Sequence, residues 1–516
     1  MGIPKLWEII DPAAESRSLL NLATVEGFKI NNRGLRTFKV IGIDISIRIN
    51  AIESALKAAR VFHPGPGGQR VVLEKLFYQF CNLITLAPLT PVFVFDGPGR
   101  PSVKHGTRVV NRPAQLTGRL KNMITSFGFY FHDAPGEAEA ELAMLNEHGD
   151  IDGIITEDSD TFVFGAKLVI RTSGPSVQDR ARIYTQASIE NKVSLDKDGF
   201  FLCALLIGGD YGPGIPGVGI TVAHALAACG FGGQLAGILT SCEGIEQIRC
   251  LKEWRESLRQ ELRRNSSGRL GRRQLVLAEA IQETFPDLEI ARLYLHPLTS
   301  RSPDCIGIAP SIALWKPREP SVPQLSAFCS NYFAWTGSHL LKKLNSNLWP
   351  GVAFQMICSR YILYGSKQKL FVSPSTQARL IKIGKARGNN HTSADLAPLD
   401  IHRVRVSANN FVALAGLDSL PPIAEVDLKL VSIPKLILAV ATRDTSHAKT
   451  ELSSLLISEE IDFEDLSDEG RDSDVGKNRA EDKTQEAFEV MDSDEDDLLK
   501  MHHILAEEGI IDLTSD

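Results

Sequence analysis

The sequence predicts an α/β fold, a largely parallel central sheet flanked by helices, on two observations. Over the first 230 residues, short apolar runs alternate with segments of helical periodicity, and run after run ends in an acid. FKVIGIDIS (38–46) is a buried strand that ends in Asp44. RINAIESALKAARVF and VVLEKLFYQFCNLITL follow as helix around a Gly/Pro loop at 64–68. PVFVFDG (91–97) is a second strand, ending in Asp96, and DGIITEDSD (152–160) a third, carrying Asp158 and Asp160. LVIRT and RIYT form a further pair. In FLCALLIGGDYGPGIPGVG an apolar helix stops at Gly208-Gly209 and delivers Asp210. Ligand sites of parallel sheets collect beyond the carboxyl ends of the strands, and there the same residue class recurs.

From about 250 to 273 the chain turns basic, with Lys252, Arg255, Arg259, Arg263, Arg264, Arg269, Arg272 and Arg273. Arg255, Arg259 and Arg263 share a helical face, which fits either a solvated surface or a track for DNA phosphates. Residues 300–324 are rich in Pro and Ser and mark a boundary. A smaller module spans 325–445, with strand-like HRVRVS, FVALAG and VDLKLVS, and beyond 450 the acid-rich chain reads as disordered. The expected partition is 1–110 and 111–205 for two halves of one α/β region, 206–300 for basic helices, 325–445 for the β-containing module and 450–516 for the tail.

The 516 residues are 43% hydrophobic, and no apolar run approaches the ~20 residues of a membrane span. MGIPKLWEIIDP carries acids where a secretory signal is apolar. Eight scattered cysteines without a CxxC pair or a His cluster argue for reduced thiols inside a cell and against structural zinc. Net charge is −7, but 459–516 holds 22 acids against 5 basic residues, which leaves the rest at +10. A basic body with an acidic tail suits a nucleic-acid protein.

APGEAEAELAMLNEHGDIDGIITEDSDTFVFG (134–165) concentrates the question. One Asp at a strand end is ordinarily a cap or a turn. Four such placements beside Glu137, Glu139 and Glu141 exceed what capping needs. Carboxylates without His or Cys favour hard ions, Mg²⁺ or Mn²⁺. They would raise one another's pKa unless cations neutralised them. Two such ions about 4 Å apart suit phosphodiester hydrolysis. Glu137 and Glu141 share a helical face, with Glu137 at the very start of the helix after Pro135-Gly136; spacing does not choose between Glu139 and Glu141.

MGIPKLW, IGIDIS, VFVFDG, APGEAEAE, ITEDSD and IGGDYGPGIPGVG, in this order over about 220 residues, resemble the structure-specific 5′ nucleases of the flap endonuclease/XPG family. Among them the chain looks most like the GEN-type Holliday junction resolvases, in a fungal-like form. The resemblance implies that Asp44, Asp96, Glu137, Glu139, Asp158, Asp160 and Asp210 are catalytic and hold two Mg²⁺, with Mn²⁺ as a substitute. It favours Glu139, and Glu141, where the family is not acidic, becomes a surface or supporting residue. GPGIPGVGITVAHAL (212–226) matches a helix-two-turn-helix, where Gly214, Gly217 and Gly219 would hold a phosphate and K⁺. Gly2, Lys104 and Arg108 stand where the family approaches DNA, although the spacing around Lys104 departs by one residue. The segment around LWP (348–350) looks like the part that holds a chromodomain-like module.

Three readings follow: a resolvase making paired nicks across four-way junctions in recombination and repair, a flap endonuclease or exonuclease of the same fold, and a non-catalytic DNA-binding scaffold. The intact acids count against the scaffold. Flap enzymes carry a long helical arch between the second-strand Asp and the glutamates, whereas only 40 residues separate Asp96 from Glu137. That short connection favours an open site. The implied partners are branched DNA and, on a junction, a second copy, with a monomer when free and a nuclear location. At the tail, Ile510, Ile511 and Leu513 in GIIDLTSD resemble a SUMO-interacting strand, and Ser493 within DSDEDD suits an acid-seeking kinase.

Overall fold

The apolar runs become strands, and those in the middle of the sheet are buried along their whole length. In this computed structural model the described residues are 2–26, 39–61, 65–86, 89–104, 106–108, 114–172, 180–305, 315, 318–358, 363–365, 370–372, 379–383, 401–406, 412, 415 and 429–434. The tail residues Ile510, Ile511, Leu513 and Ser493 lie outside them. The chain divides into two units. The described residues 48–61 and 65–75 belong to one and are mainly helical; the site described below lies wholly in the other.

Strands β1 (Glu15–Ser18), β2 (Val40–Asp44), β3 (Thr90–Phe95), β4 (Val103–Lys104), β5 (Thr107–Arg108), β6 (Tyr130–Asp133), β7 (Gly153–Ile155), β8 (Leu168–Thr172) and β9 (Arg180–Thr185) come first along the chain. Seven of them form one sheet in the order β1-β9-β8-β7-β2-β3-β6. The run β8-β7-β2-β3-β6 is parallel, while β9 and β1 extend it antiparallel. The largely parallel sheet is therefore present, with a mixed edge. Every residue of β2 and β3 is buried, as expected of strands covered on both faces.

The helices are α1 (Leu6–Ile10), α2 (Leu19–Glu26), α3 (Ile45–Ala58), α4 (Pro66–Leu83), α5 (Ala114–Ser126), α6 (Ala138–Glu147), α7 (Gln186–Val193), α8 (Lys197–Ile207), α9 (Ile220–Ala227), α10 (Phe231–Ser241), α11 (Gly244–Arg264), α12 (Leu275–Ala280) and α13 (Leu288–Leu295). None of the described helices is by itself long and apolar enough to cross a membrane. An aromatic cluster on one side of the sheet joins Phe80 to Phe93 at 4.7 Å between ring centroids and Phe77 to Phe127 at 5.4 Å. Each such pair adds about 0.5–1.5 kcal/mol beyond its buried area.

Helices α14 (Val322–Phe333), α15 (Gly337–Lys343) and α16 (Trp349–Cys358) follow the Pro/Ser-rich boundary. Part of that boundary is pinned rather than loose: Ser321 N–H donates to Ser126 O at 2.8 Å and Arg318 to Phe129 O at 2.6 Å. Strands β10 (Leu363–Gly365), β11 (Leu370–Val372), β12 (Arg379–Ile383), β13 (Ile401–Val406) and β14 (Lys429–Pro434) then form a five-stranded antiparallel sheet. The 325–445 region thus begins with helices, and its strands start after LWP.

Candidate active site

Parallel strands deliver acids at their carboxyl ends. Asp44 is the last residue of β2, and its Oδ1 accepts from Ser46 N at 2.7 Å. Ser46 Oγ donates in turn to Asp96 Oδ2 at 2.8 Å, just past β3. Asp96 also accepts from Arg100 at 3.1 Å and from Ala138 N, in the first turn of α6, at 3.0 Å. Hydrogen bonds from Gly97 N to Gly136 O (2.7 Å) and from Gly99 N to Pro135 O (2.9 Å) join the Asp96 turn to the glutamate turn. Glu137 is the N-cap of α6 and Glu139 lies in its first turn, so their carboxylates stand at the positive end of the helix dipole.

Asp158 caps the short 3-10 turn Ser159–Phe162 by accepting from Asp160 N at 3.1 Å. Asp160 accepts from Asp210 N at 3.5 Å, where the chain leaves α8. Carboxylate oxygens of Glu139, Asp158 and Asp210 lie within 4.8 Å of one another. The Lys104 ammonium sits among them, 2.7 Å from Glu139, 2.8 Å from Asp210 and against Glu137. Tyr211 Oη also donates to Glu137, and its ring packs tilted against Tyr294 with centroids 4.7 Å apart.

Burial of so many acids has an electrostatic cost. Burial, and then the charge of Asp96, push Asp44 up to about 8. Burial raises Glu137 and Glu139 even though Lys104 opposes it. Asp158 and Asp160 rise through burial and their carboxylate neighbours, Asp210 among them. Lys104 is pulled down by burial, but Glu139, Glu137 and Asp210 outweigh that and hold it well above the usual lysine range.

The residues fit hard divalent ions on three grounds: the donors are all carboxylate oxygens, an ammonium stands in as the cation at their centre, and the buried Oδ1 of Asp160 has no hydrogen-bond partner. A Cβ on Gly2 would come 2.5 Å from Asp158 and Asp160, and the φ of Gly2 is +83°, so the N-terminal turn lies directly against this cluster.

Some expected residues stand elsewhere. Glu141 is not at the surface but fully buried, accepting from Ser300 N and pairing with His132 Nε2, both at 2.8 Å. Packing against the 297–300 segment explains the correction. Arg255 is 9% exposed and donates to Phe285 O at 3.0 Å. Arg259 donates to Ile281 O and pairs with Glu283, and Arg263 pairs with Glu256 and Glu279. These guanidiniums hold α11 to the chain that follows, Arg255 and Arg259 with little exposure and Arg263 at the surface. Gly214, Gly217 and Gly219 lie in the turn between α8 and α9; a Cβ on Gly214, at φ +71°, would strike Ile207 C at 2.2 Å. Arg108 is placed in β5, its side chain outside the described residues. Tyr211 and Tyr294 were not singled out; adjacency to Asp210 marks Tyr211, whereas nothing in ARLYLHP marks Tyr294.

Comparison with known proteins places this geometry. Residues 128–210 match the model of the XPG I-region. The human flap endonuclease GEN homolog 1 is 30% identical over 241 residues, 42% of this chain and 24% of that protein. The chain thus spans about a quarter of the length of that curated relative. A solved eukaryotic junction-resolving enzyme, GEN-1 binding cesium, is 30% identical with a TM-score of 0.65, covering 88% of this chain and 100% of that one. The Holliday junction-resolving enzyme GEN1 with product DNA and Mg²⁺ is 31% identical, with a TM-score of 0.63 over the same shares. The chain belongs to the XPG family, in its GEN-type branch.

Proposed function

We propose that the protein is a divalent-metal-dependent, structure-specific endonuclease that resolves four-way DNA junctions by paired nicks and also cuts 5′ flaps. The observation that carries this reading is the gathering of Glu137, Glu139, Asp158 and Asp210 about the Lys104 ammonium, with Asp160 bonded to Asp210 and with Asp44 and Asp96 joined to each other through Ser46. Those seven carboxylates would hold Mg²⁺ or Mn²⁺. When bound, such ions supply Lewis-acid stabilisation of the charge that develops on a phosphodiester during hydrolysis.

The chain's own groups do the rest. Ser46, Arg100 and the amide of Ala138 fix Asp96, and Tyr211 fixes Glu137. Lys104 is displaced from the carboxylates toward the scissile phosphate when the site is loaded. The turn of Gly2 packs so closely on Asp158 and Asp160 that no side chain fits there, which sets the N-terminus beside the site where DNA would enter. The turn carrying Gly214, Gly217 and Gly219 offers backbone groups to a phosphate and to K⁺. Two copies act on one junction in the nucleus, each with its own site.

Of the 40 residues between Asp96 and Glu137, β4, β5, α5 and β6 take up 21, including the strand that inserts Lys104. Little chain is left to close over a free 5′ end, and a four-way junction has none near its branch point. With Mg²⁺, a junction whose arm ends are all blocked is expected to be cut, as are 5′ flaps with a bulky end. Intact blocked junctions, with only free-ended flaps cut, would make the protein a threading nuclease instead.

A further inference from the structure

We propose that the loop 265–276, behind the two-turn-helix, is the edge that grips the phosphates of a duplex arm, through Arg269, Arg272 and Arg273. This rests on the reading of the chain as a branched-DNA enzyme, and sets the basic contact past the α11 arginines Arg255, Arg259 and Arg263, which already have carbonyl or glutamate partners. Between α11 and α12 the chain reads NSSGRLGRRQLV, with no acid in twelve residues. Arg269, Arg272 and Arg273 are exposed, and none forms an ion pair among the described residues. Arg255, Arg259 and Arg263, one to three turns earlier, are by contrast each spent on a carbonyl or a glutamate.

The loop is built rather than slack. Asn265 ends α11 at φ +51° and its Oδ1 accepts from Leu270 N at 3.1 Å. Ser267 donates from both N and Oγ to buried Glu261, at 3.1 and 2.6 Å, and its Oγ accepts from Arg269 N at 3.2 Å. Gln274 N closes the loop on Leu262 O at 2.7 Å, and the Leu270 side chain is buried beneath it. Three guanidiniums are thus presented from a braced backbone, which lowers the ordering cost of gripping a phosphate.

Position names the partner. Leu277 of α12, four residues past Arg273, lies 3.3 Å from where a Cβ on Gly217 would be, so the helix that follows the arginine loop abuts the Gly217 turn. Leu275 and Val276 stay 60% and 82% exposed at the same edge. A backbone anion arriving at the Gly217 turn continues past three unneutralised arginines, which fits a duplex arm.

The test uses the full chain with R269A/R272A/R273A substituted together, binding a four-way junction and a plain linear duplex across a salt series without divalent ions. Each phosphate contact contributes about 0.9 to the slope of log affinity against log salt, so the slope is expected to fall by about 2–3 on both DNAs. Affinity is expected to drop at least about tenfold at low salt, with an unchanged melting temperature. R269K/R272K/R273K, which keeps the charge, is expected to retain most of the slope. An unchanged slope in a well-folded alanine variant overturns the proposal. Loss of duplex affinity in a protein whose wild type leaves junctions uncut would instead sink the resolvase reading and leave the loop standing.

Discussion

At the scale of single residues, the acids divide into those that would bear charge for the reaction and one that braces them. Asp158→Asn or Glu139→Gln removes one ligand charge from the Glu139, Asp158 and Asp210 group. Single-turnover cleavage is expected to fall at least about a hundredfold, the scale of losing one preorganised electrostatic contact. Junction affinity, which comes mainly from Lys and Arg, is expected to stay within about twofold. A variant cutting near the wild-type rate at saturating Mg²⁺ would remove that residue from the cradle. Glu141 is the brace: one turn beyond Glu137 on α6, it holds Ser300 N and His132 with no solvent exposure. Glu141→Ala leaves two buried donors unanswered, at about 1–3 kcal/mol each. It is expected to lower the melting temperature and raise the Mg²⁺ concentration for half-maximal cleavage. Glu141→Gln, which keeps an acceptor for Ser300, is expected to do both less. Equal melting points for Glu141→Ala and wild type would disprove the brace.

Elements decide what a charge is for, and here sequence and structure part company. Basic residues at helical spacing in α11 look like a DNA face, yet the carbonyls of Ile281 and Phe285 lie within reach and claim two of them. Periodicity reports which residues share a face, not what packs there. Arg259→Ala is therefore expected to cost about 1–2 kcal/mol of stability, read by denaturant unfolding, while the salt slope of DNA binding stays as in wild type. A changed slope with unchanged stability would return Arg259 to the DNA face. Strands β2, β3 and β7 were legible because both faces are apolar and each run leads into an acid. By contrast β1, ESRS, was not: it pairs antiparallel with β9, lies at the sheet edge and has no alternation to mark it. The hairpin of β4 and β5 is two residues a side, too short for any period, yet it carries Lys104 into the carboxylates. Glu137 at the start of a helix could be anticipated from Pro135-Gly136. The burial of Glu141 could not, because its partners His132 and Ser300 come from strand β6 and a segment 159 residues away.

For the molecule as a whole, the same carboxylates make stability depend on pH and metal together. Asp44 has its folded value raised to about 8, and burial moves Glu137, Glu139, Asp158 and Asp160 in the same direction. A raised acid binds its proton more tightly folded than unfolded. Its stabilisation is therefore fully present below the unfolded value near 3.8 and is lost as pH climbs through the folded value. Metal-free protein is thus expected to melt progressively lower between about pH 5 and pH 8. The Lys104 ammonium moderates the loss without cancelling it, since one cation faces several anions. A divalent ion binds the ionised cluster and competes with its protons, so the gain in melting temperature on adding Mg²⁺ is expected to be small at pH 5 and larger at pH 8. Surface groups titrate as well, and Asp44→Asn isolates the site: its metal-free melting curve is expected to be flatter across the same window, with a smaller Mg²⁺ gain at pH 8. Differential scanning fluorimetry over that grid decides it. A Mg²⁺ gain independent of pH, or an Asp44→Asn variant with the wild-type slope, would mean that these buried acids are not what the metal neutralises.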